Sequence, residues 1–558
     1  MMRRAALALL FLCALAGTRA QIAPATYFIR FTDKANTPYS IAAPQEFLGP
    51  RAIERRARQN IPIDELDLPV DPAYISGLLS AGQFEIHTVS KWLNAVTIRS
   101  TDTLALDTIA SLPFVAEVRA LRPAGEHRPR IADKFPGTKR AAEAATLDGT
   151  YGASLRAISM MNGHLLHELG GARGEGLLIG VLDSGFDRAD SMAAFAHLFA
   201  RDGVKLTDDI VCGNCDVYSE HWHGRSVLSV LAGRLPGRLM GTAPNADYVL
   251  LRTEDVHSEF PVEEDNWARG AEIADSIGCD VLNTSLGYTQ FDDSTMDHTW
   301  ADLDGLTARI SIAAGIAARK GMIPVVSAGN AGAAAWHRIG TPADAIDVLS
   351  VGAVDNSRQV TAFSSRGPSA DGRVKPDLCA VGLGTIGVNG IGDDVEAING
   401  TSFSSPLVCG LVACLWQLHR DRDAHAIMDA VRRSASCAHA PNDSLGFGIP
   451  DFWRAHLLLG GADLTGLSAP TFFNVYPQPF TTALNIDLFT GDADELTIEL
   501  YDAAGRTILS RSIALEPRIY QQLRIEDAAL ATLPNGPCTL RASLSGHAEI
   551  LRKLVKAP

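Results

Sequence analysis

Between about residues 151 and 460 the chain alternates short, largely apolar runs with stretches of helical period, and few folds accept that pattern. Residues 176–182, 248–251, 281–286, 323–327 and 348–354 lack the regular alternation of a strand with one wet face. They read as strands buried on both faces. Among the intervening segments, 263–277 carries Trp267, Ala271, Ala274 and Ile277 on one helical face, and 306–320 has a similar period. Helices that cover both sides of such strands make a parallel sheet of the α/β class. In sheets of this kind the functional residues gather beyond the carboxyl ends of the strands.

The remainder of the 558 residues leaves room for further domains at ~150 residues each. Residues 1–20 read as an export signal, because Arg3 and Arg4 precede an apolar run at 5–17 that is followed by Thr18-Arg19-Ala20. That run is shorter than the ~20 residues a bilayer span needs, so the processed chain is expected to be exported and soluble. Residues 21–122 mix alternating segments (27–31, 92–98) with helical ones (50–59, 103–111), a small α+β unit. Residues 123–150 are polar, with basic residues at Lys134, Lys139 and Arg140, and are expected to form an exposed linker. In the last region, 461–558, period-two segments at 484–488 and 496–501 and a turn at Asp502-Ala503-Ala504-Gly505 predict a β-sandwich.

Acidic residues outnumber basic ones 64 to 49, a formal charge of −15, which disfavours a phosphate backbone as partner. Residues 207–304 hold 19 Asp and Glu against 5 Arg and no Lys, whereas 21–140 hold 15 basic and 13 acidic residues. A solvated acidic face is the simplest expectation for the block. An acidic substrate cleft, a cation site, or a docking surface for a more basic part of the same chain are the alternatives. Removal of a signal containing Cys13 leaves eight cysteines, an even number that permits disulfides after export. Cys279 and Cys409 lie in apolar runs and equally suit buried thiols.

Three local features carry candidate chemistry. In Val181-Leu182-Asp183-Ser184-Gly185, an Asp closes a buried strand where a carboxylate can orient an imidazole, although a turn Asp is the plainer reading. In His221-Trp222-His223-Gly224-Arg225-Ser226, a His at a helix start can act as general base; the residues by themselves leave both histidines open. In Asn399-Gly400-Thr401-Ser402, Ser402 stands in the first turn of an apolar helix. Backbone N–H groups there can stabilise an oxyanion, and an N-cap role is the alternative.

With the segment Ser327-Ala328-Gly329-Asn330, these features resemble the Asp, His, oxyanion and Ser motifs of the subtilisin-like serine proteases, in that family's order. The resemblance covers about residues 151–460. It implies a subtilisin-like α/β fold with helices on both faces of a parallel sheet, in which Asp183 orients, His223 is the base and Ser402 the nucleophile. The glycine after it selects His223 over His221. The resemblance further implies that Asn330 and the Ser402 N–H bind the oxyanion, that Ser327, Ala328 and Gly329 line the substrate site, and that Ser285, Leu286 and Gly287 pair with extended substrate as an edge strand. The implied activity is that of a secreted serine endopeptidase working through an acyl-enzyme, with no organic cofactor; a peptide-binding protein without turnover is the alternative. Arg225-Ser226 depart from the family's usual Thr-His and are expected to alter the groove wall.

Two other readings use the same region. Cys212, Cys215, His221 and His223 could supply four zinc ligands, but the HxH spacing is short for a zinc finger, and a loop disulfide or free thiols suit an exported chain better. Calcium is a habit of the family, yet Glu263-Glu264-Asp265 and Asp292-Asp293 form no EF-hand loop and are expected to be solvated, which leaves a structural calcium unassigned.

The flanks carry their own resemblances. By size and position, 21–122 is similar to the propeptide of a subtilase, which implies a zymogen inhibited by its own propeptide. Residues 474–480, 484–486, 500–506 and 553–556 resemble a type IX secretion sorting domain, with Gln478 in place of the usual Asn. That implies passage through the periplasm of a Gram-negative bacterium to the surface or medium, with outer-membrane secretion machinery and protein or peptide substrates as partners. A spacer or substrate-binding sandwich is the alternative.

Overall fold

The computed structural model describes residues 25–557 except 124–133, 136–139, 142–148, 169, 214, 389–393, 461–472, 477–478, 518–519 and 548. The expected signal at 1–20 and most of the expected linker lie outside the described residues.

Seven parallel strands form the central sheet, in the spatial order Leu378–Val381, Leu349–Val354, Ile323–Ser327, Val281–Thr284, Leu178–Asp183, Asp247–Arg252 and Val204–Asp209. From Leu178–Asp183 the chain builds one half of the sheet, then crosses back to build the other from Val281–Thr284. That strand reversal opens a crevice at the carboxyl edge, where Asp183 ends the central strand. The helices His223–Ala232 and Thr401–Leu418 pack on one face and Val262–Ile277 and Arg309–Arg319 on the other, each with its own apolar core. Among the described residues one helix, Thr401–Leu418, is long and apolar enough to cross a membrane, but 89% of it is buried inside the protein.

The N-terminal unit is a four-stranded antiparallel sheet ordered Glu85–Ser90, Ala95–Ser100, Ala25–Phe31, Val115–Arg122. Side chains alternate between its faces. Ile29, Phe31, Val96 and Ile98 join Leu78 and Ile109 of the helices Pro72–Ala81 and Thr103–Ala110 in a local core. From the opposite face, Phe28 and Ala95 pack with Phe260 and Val262 of the central domain.

This docking overturns the expectation of a solvated acidic face. Glu263, Glu264 and Asp265 open the Val262–Ile277 helix and are at most 3% exposed. Asp275 accepts from Arg55, Arg56 and Lys91. Glu272 accepts from Ser90 Oγ at 2.5 Å and from the backbone N–H groups of Lys91 and Trp92 at 2.9 and 3.0 Å. Much of the acidic block is therefore a docking surface for the more basic N-terminal unit, and carboxylates removed from water are paired, as burial requires.

At the C-terminus, three strands (Phe473–Tyr476, Ala483–Phe489, Tyr520–Glu526) and four (Thr507–Ala514, Glu495–Tyr501, Gly536–Leu544, Ile550–Lys556) form two antiparallel sheets around one apolar core.

Candidate active site

Asp183 is fully buried, and its Oδ1 accepts from Ser184 N–H at 2.8 Å, Ser184 Oγ at 3.2 Å and His223 Nδ1 at 2.7 Å. An acceptor at Nδ1 fixes the tautomer and leaves Nε2 as the basic nitrogen. His221 Nδ1 instead meets Ser184 Oγ at 2.9 Å, one group removed from the carboxylate. Gly224 makes the close approach possible: a Cβ there would lie 2.4 Å from the Gly185 carbonyl oxygen and 2.8 Å from Asp183 Cβ.

Ser402 stands in the first turn of the Thr401–Leu418 helix, after Gly400 at φ 141°. Backbone N–H groups of a first helical turn have no partner within the helix. Asn330 is clamped beside that turn, because its Oδ1 accepts from Thr401 N–H at 2.9 Å and Thr401 Oγ1 at 3.0 Å. A backbone donor on Oδ1 settles the amide orientation and leaves Nδ2 for the cleft. Gly329, at φ 103°, turns the chain out of the Ile323–Ser327 strand and donates its N–H to Thr401 Oγ1 at 3.2 Å.

A cavity of about 630 Å³ brings His223, Ser402 and Asn330 together. Residues 285–287 and 327–329 also line it, running out from two adjacent strands. Val281–Thr284 is an interior strand, so any edge for substrate pairing is confined to the extension Ser285, Leu286 and Gly287. Ser402 Oγ donates to the Ser285 carbonyl at 3.2 Å, and Ser285 Oγ donates to the Ser402 carbonyl at 2.8 Å.

Lys134 and Phe135 also line this cavity, contrary to the expectation of an exposed linker. The Phe135 ring lies 4.2 Å from that of His223 between centroids. The Lys134 ammonium is enclosed by Glu254, Glu259 and Glu263 at 2.5, 2.6 and 2.9 Å. Burial and the neighbouring Glu254 push the Glu259 carboxyl up to about 8, against the opposing pull of Lys134. Burial pushes Glu263 up as well, whereas Lys134 stays protonated because the three carboxylates outweigh its own burial. The acidic run was visible in the sequence, but nothing local tied it to Lys134.

Two expectations about the neighbourhood change. Arg225 is buried and turns away from the cleft, donating to Asp187 Oδ2 at 2.9 Å, so its charge is neutralised rather than presented to substrate. Cys212 and Cys215 form a disulfide, and both histidines weighed as zinc ligands bond to Asp183 or Ser184. The other described cysteines are thiols, and burial raises Cys279 and Cys409 above the ordinary thiol range.

Residues 174–448 match the model of the subtilase family. The central domain is a subtilase. On either side of the subtilase domain, residues 26–133 match the peptidase S8 propeptide domain of Bacteroidota, and 474–555 match a secretion system C-terminal sorting domain. The mouse (Mus musculus) "Membrane-bound transcription factor site-1 protease" is 30% identical over 271 residues, which cover 46% of this chain and 24% of the relative. "Serine protease AprX" of Bacillus subtilis (strain 168) is 25% identical over 276 residues, 44% of this chain and 58% of the relative. The chain thus spans about a quarter of the length of the first of these relatives. Among solved structures, MycP1 from Mycobacterium smegmatis aligns with a TM-score of 0.43 at 20% identity, covering 58% of this chain and 90% of that one.

Proposed function

We propose that the chain is a secreted serine endopeptidase whose triad is Asp183, His223 and Ser402. The observation that carries this reading is the 2.7 Å bond from His223 Nδ1 to Asp183, at the rim of a cavity that also holds Ser402 at a helix N-terminus. In the proposed reaction the Ser402 hydroxyl leaves the Ser285 carbonyl and gives its proton to His223 Nε2 as Oγ attacks the scissile carbonyl carbon. Asp183 holds the tautomer and stabilises the imidazolium. The developing oxyanion takes hydrogen bonds from Asn330 Nδ2 and the Ser402 N–H. Nε2 then protonates the leaving amine. Water, deprotonated by the same nitrogen, attacks the acyl carbon, and Nε2 returns that proton to Ser402 Oγ as the acyl group leaves. All these groups come from the chain, so no organic cofactor enters; calcium remains unassigned to residues.

The N-terminal unit acts in this reading as an intramolecular inhibitor, supported by its docking on the Val262–Ile277 helix and by Lys134 and Phe135 in the cleft. The sorting domain directs export across the outer membrane, and deletion of 470–558 is expected to hold the protein in the periplasm.

Peptide cleavage by the purified, processed protein and its loss in Ser402→Ala test the assignment; equal activity in both forms refutes it. The present bond from Ser402 Oγ to the Ser285 carbonyl favours a second reading, peptide binding without turnover. A protein that, freed of its N-terminal unit, binds peptides but cleaves none would establish that instead.

A further inference from the structure

Of the acidic residues around the cleft, Glu254, Glu259 and Glu263 form the group whose state depends on an occupant. They are 2, 6 and 0% exposed, yet among the described residues a single ammonium serves all three. Their surroundings supply little other compensation: Tyr288 Oη donates to Glu254 at 2.5 Å, and the N–H groups of Asp255 and Phe260 donate to Glu263 at 2.8 and 3.1 Å. Those bonds do fix the pocket. Glu259 is held in turn by its own N–H on Asp292 at 3.0 Å. The acceptors facing inward, three carboxylates and the Asp255 carbonyl at 2.7 Å from Lys134 Nζ, suit a cation with several N–H donors.

The cation seated there comes from a segment that lies in the cleft. Lys134 occupies the pocket while the next residue, Phe135, packs on His223. The same continuous cavity holds Ser402, Asn330 and the 285–287 segment. The dipeptide therefore occupies a position open to substrate, and any state in which Lys134 leaves must supply another cation or protonate buried carboxylates.

We propose that Glu254, Glu259 and Glu263 form a substrate subsite that selects a lysine or arginine side chain, the residue next to the one that packs against His223. Lys134 is its occupant from the chain itself, so the same pocket anchors the inhibitory segment and reads the substrate. The inference rests on the peptidase reading above and adds the substrate class.

The test uses the processed enzyme and quenched fluorescent peptides that differ at a single position, carrying Lys, Arg, norleucine or Glu at each of four positions flanking a fixed cleavage site. At one position Lys or Arg should raise kcat/KM over norleucine by about 30-fold or more, as expected for a desolvated charge pair, with Glu the poorest. The ratio, not the absolute rate, should collapse towards parity in Glu254→Gln/Glu263→Gln. Should that variant fail to fold, Glu259→Gln and the wild-type scan give the same readout. An active enzyme with no basic preference at any position overturns the subsite. So does a preference that excess calcium abolishes and a chelator restores, which would make the three carboxylates a metal site. Failure to cleave any peptide would instead overturn the peptidase reading. In that case the pocket is still tested by fluorescence anisotropy of Lys and norleucine peptides on the full chain carrying Lys134→Ala and Ser402→Ala, where equal binding sinks it.

Discussion

Ser285 and Ser402 exchange hydrogen bonds, each hydroxyl donating to the other's backbone carbonyl, at 2.8 Å from Ser285 Oγ and 3.2 Å from Ser402 Oγ. The reason lies four residues along the helix. Pro406 has no N–H to give to the Ser402 carbonyl, the partner an ordinary residue there would have. Ser285 supplies the missing donor and so ties the start of the helix to the end of the Val281–Thr284 strand.

Ser285→Ala should therefore act on Ser402, the proposed nucleophile, from outside the proposed triad. It leaves the Ser402 carbonyl without that donor in a buried site, at a cost of about 1–3 kcal/mol. We expect kcat to fall about tenfold, which corresponds to ~1.4 kcal/mol, with Ser285→Thr restoring most of it. Unchanged kcat in Ser285→Ala would show that the helix start needs no such tie.

Asn330→Leu tests the oxyanion assignment. The side chain is nearly isosteric but offers no Nδ2 donor, and its clamp to Thr401 is lost with it. Loss of one oxyanion donor costs about 10²–10³ in kcat, a range measured on subtilisin itself. Steady-state kinetics should show that fall with KM nearly constant. A rise in KM alone would move Asn330 from the transition state to ground-state binding.

Asp275 anchors the N-terminal unit through Arg55, Arg56 and Lys91. Those three cations hold its carboxyl well below the usual carboxylate range despite complete burial. Asp275→Asn leaves the cations under-compensated in the docked state only. Breaking a buried pair costs about 3–5 kcal/mol, so inhibition of the processed enzyme by added N-terminal unit should weaken by about 10²- to 10⁴-fold, with peptide turnover in its absence unaffected. Equal inhibition constants would show that the apolar patch around Phe28 and Phe260 alone sustains docking.

The architecture was legible where one interaction dominated a segment. Continuous apolar runs marked the strands buried on both faces, and the helices at 262–277 and 309–319 followed their period. The sheet edges escaped notice: Val204–Asp209 alternates polar and apolar residues, and Leu378–Val381 is only four residues long. Asp183, His223 and Ser402 could be proposed from the sequence because each sits in a local motif with its own turn or helix start. The Lys134 pocket could not, since its cation lies more than a hundred residues from its carboxylates. Burial of Glu263 likewise depends on docking and on Lys134, which no local pattern records.

Acidification should loosen the N-terminal unit. His87 of that unit meets Asn266 Oδ1 of the central domain at 2.8 Å. Burial, aided by nearby Arg99, lowers its value from 6.5 to about 4. The docked state therefore favours the neutral imidazole, whereas an undocked, solvated one titrates near its ordinary 6.5. The contribution to docking is complete above that value and is lost progressively as pH falls towards about 4, by up to about tenfold in affinity per pH unit. Inhibition constants measured between pH 7 and about 4 should rise along this slope, and His87→Gln, which keeps a donor for Asn266 without titrating, should flatten it. A wild-type slope that survives in His87→Gln would place the sensitivity in the buried carboxylates of the Val262–Ile277 helix instead.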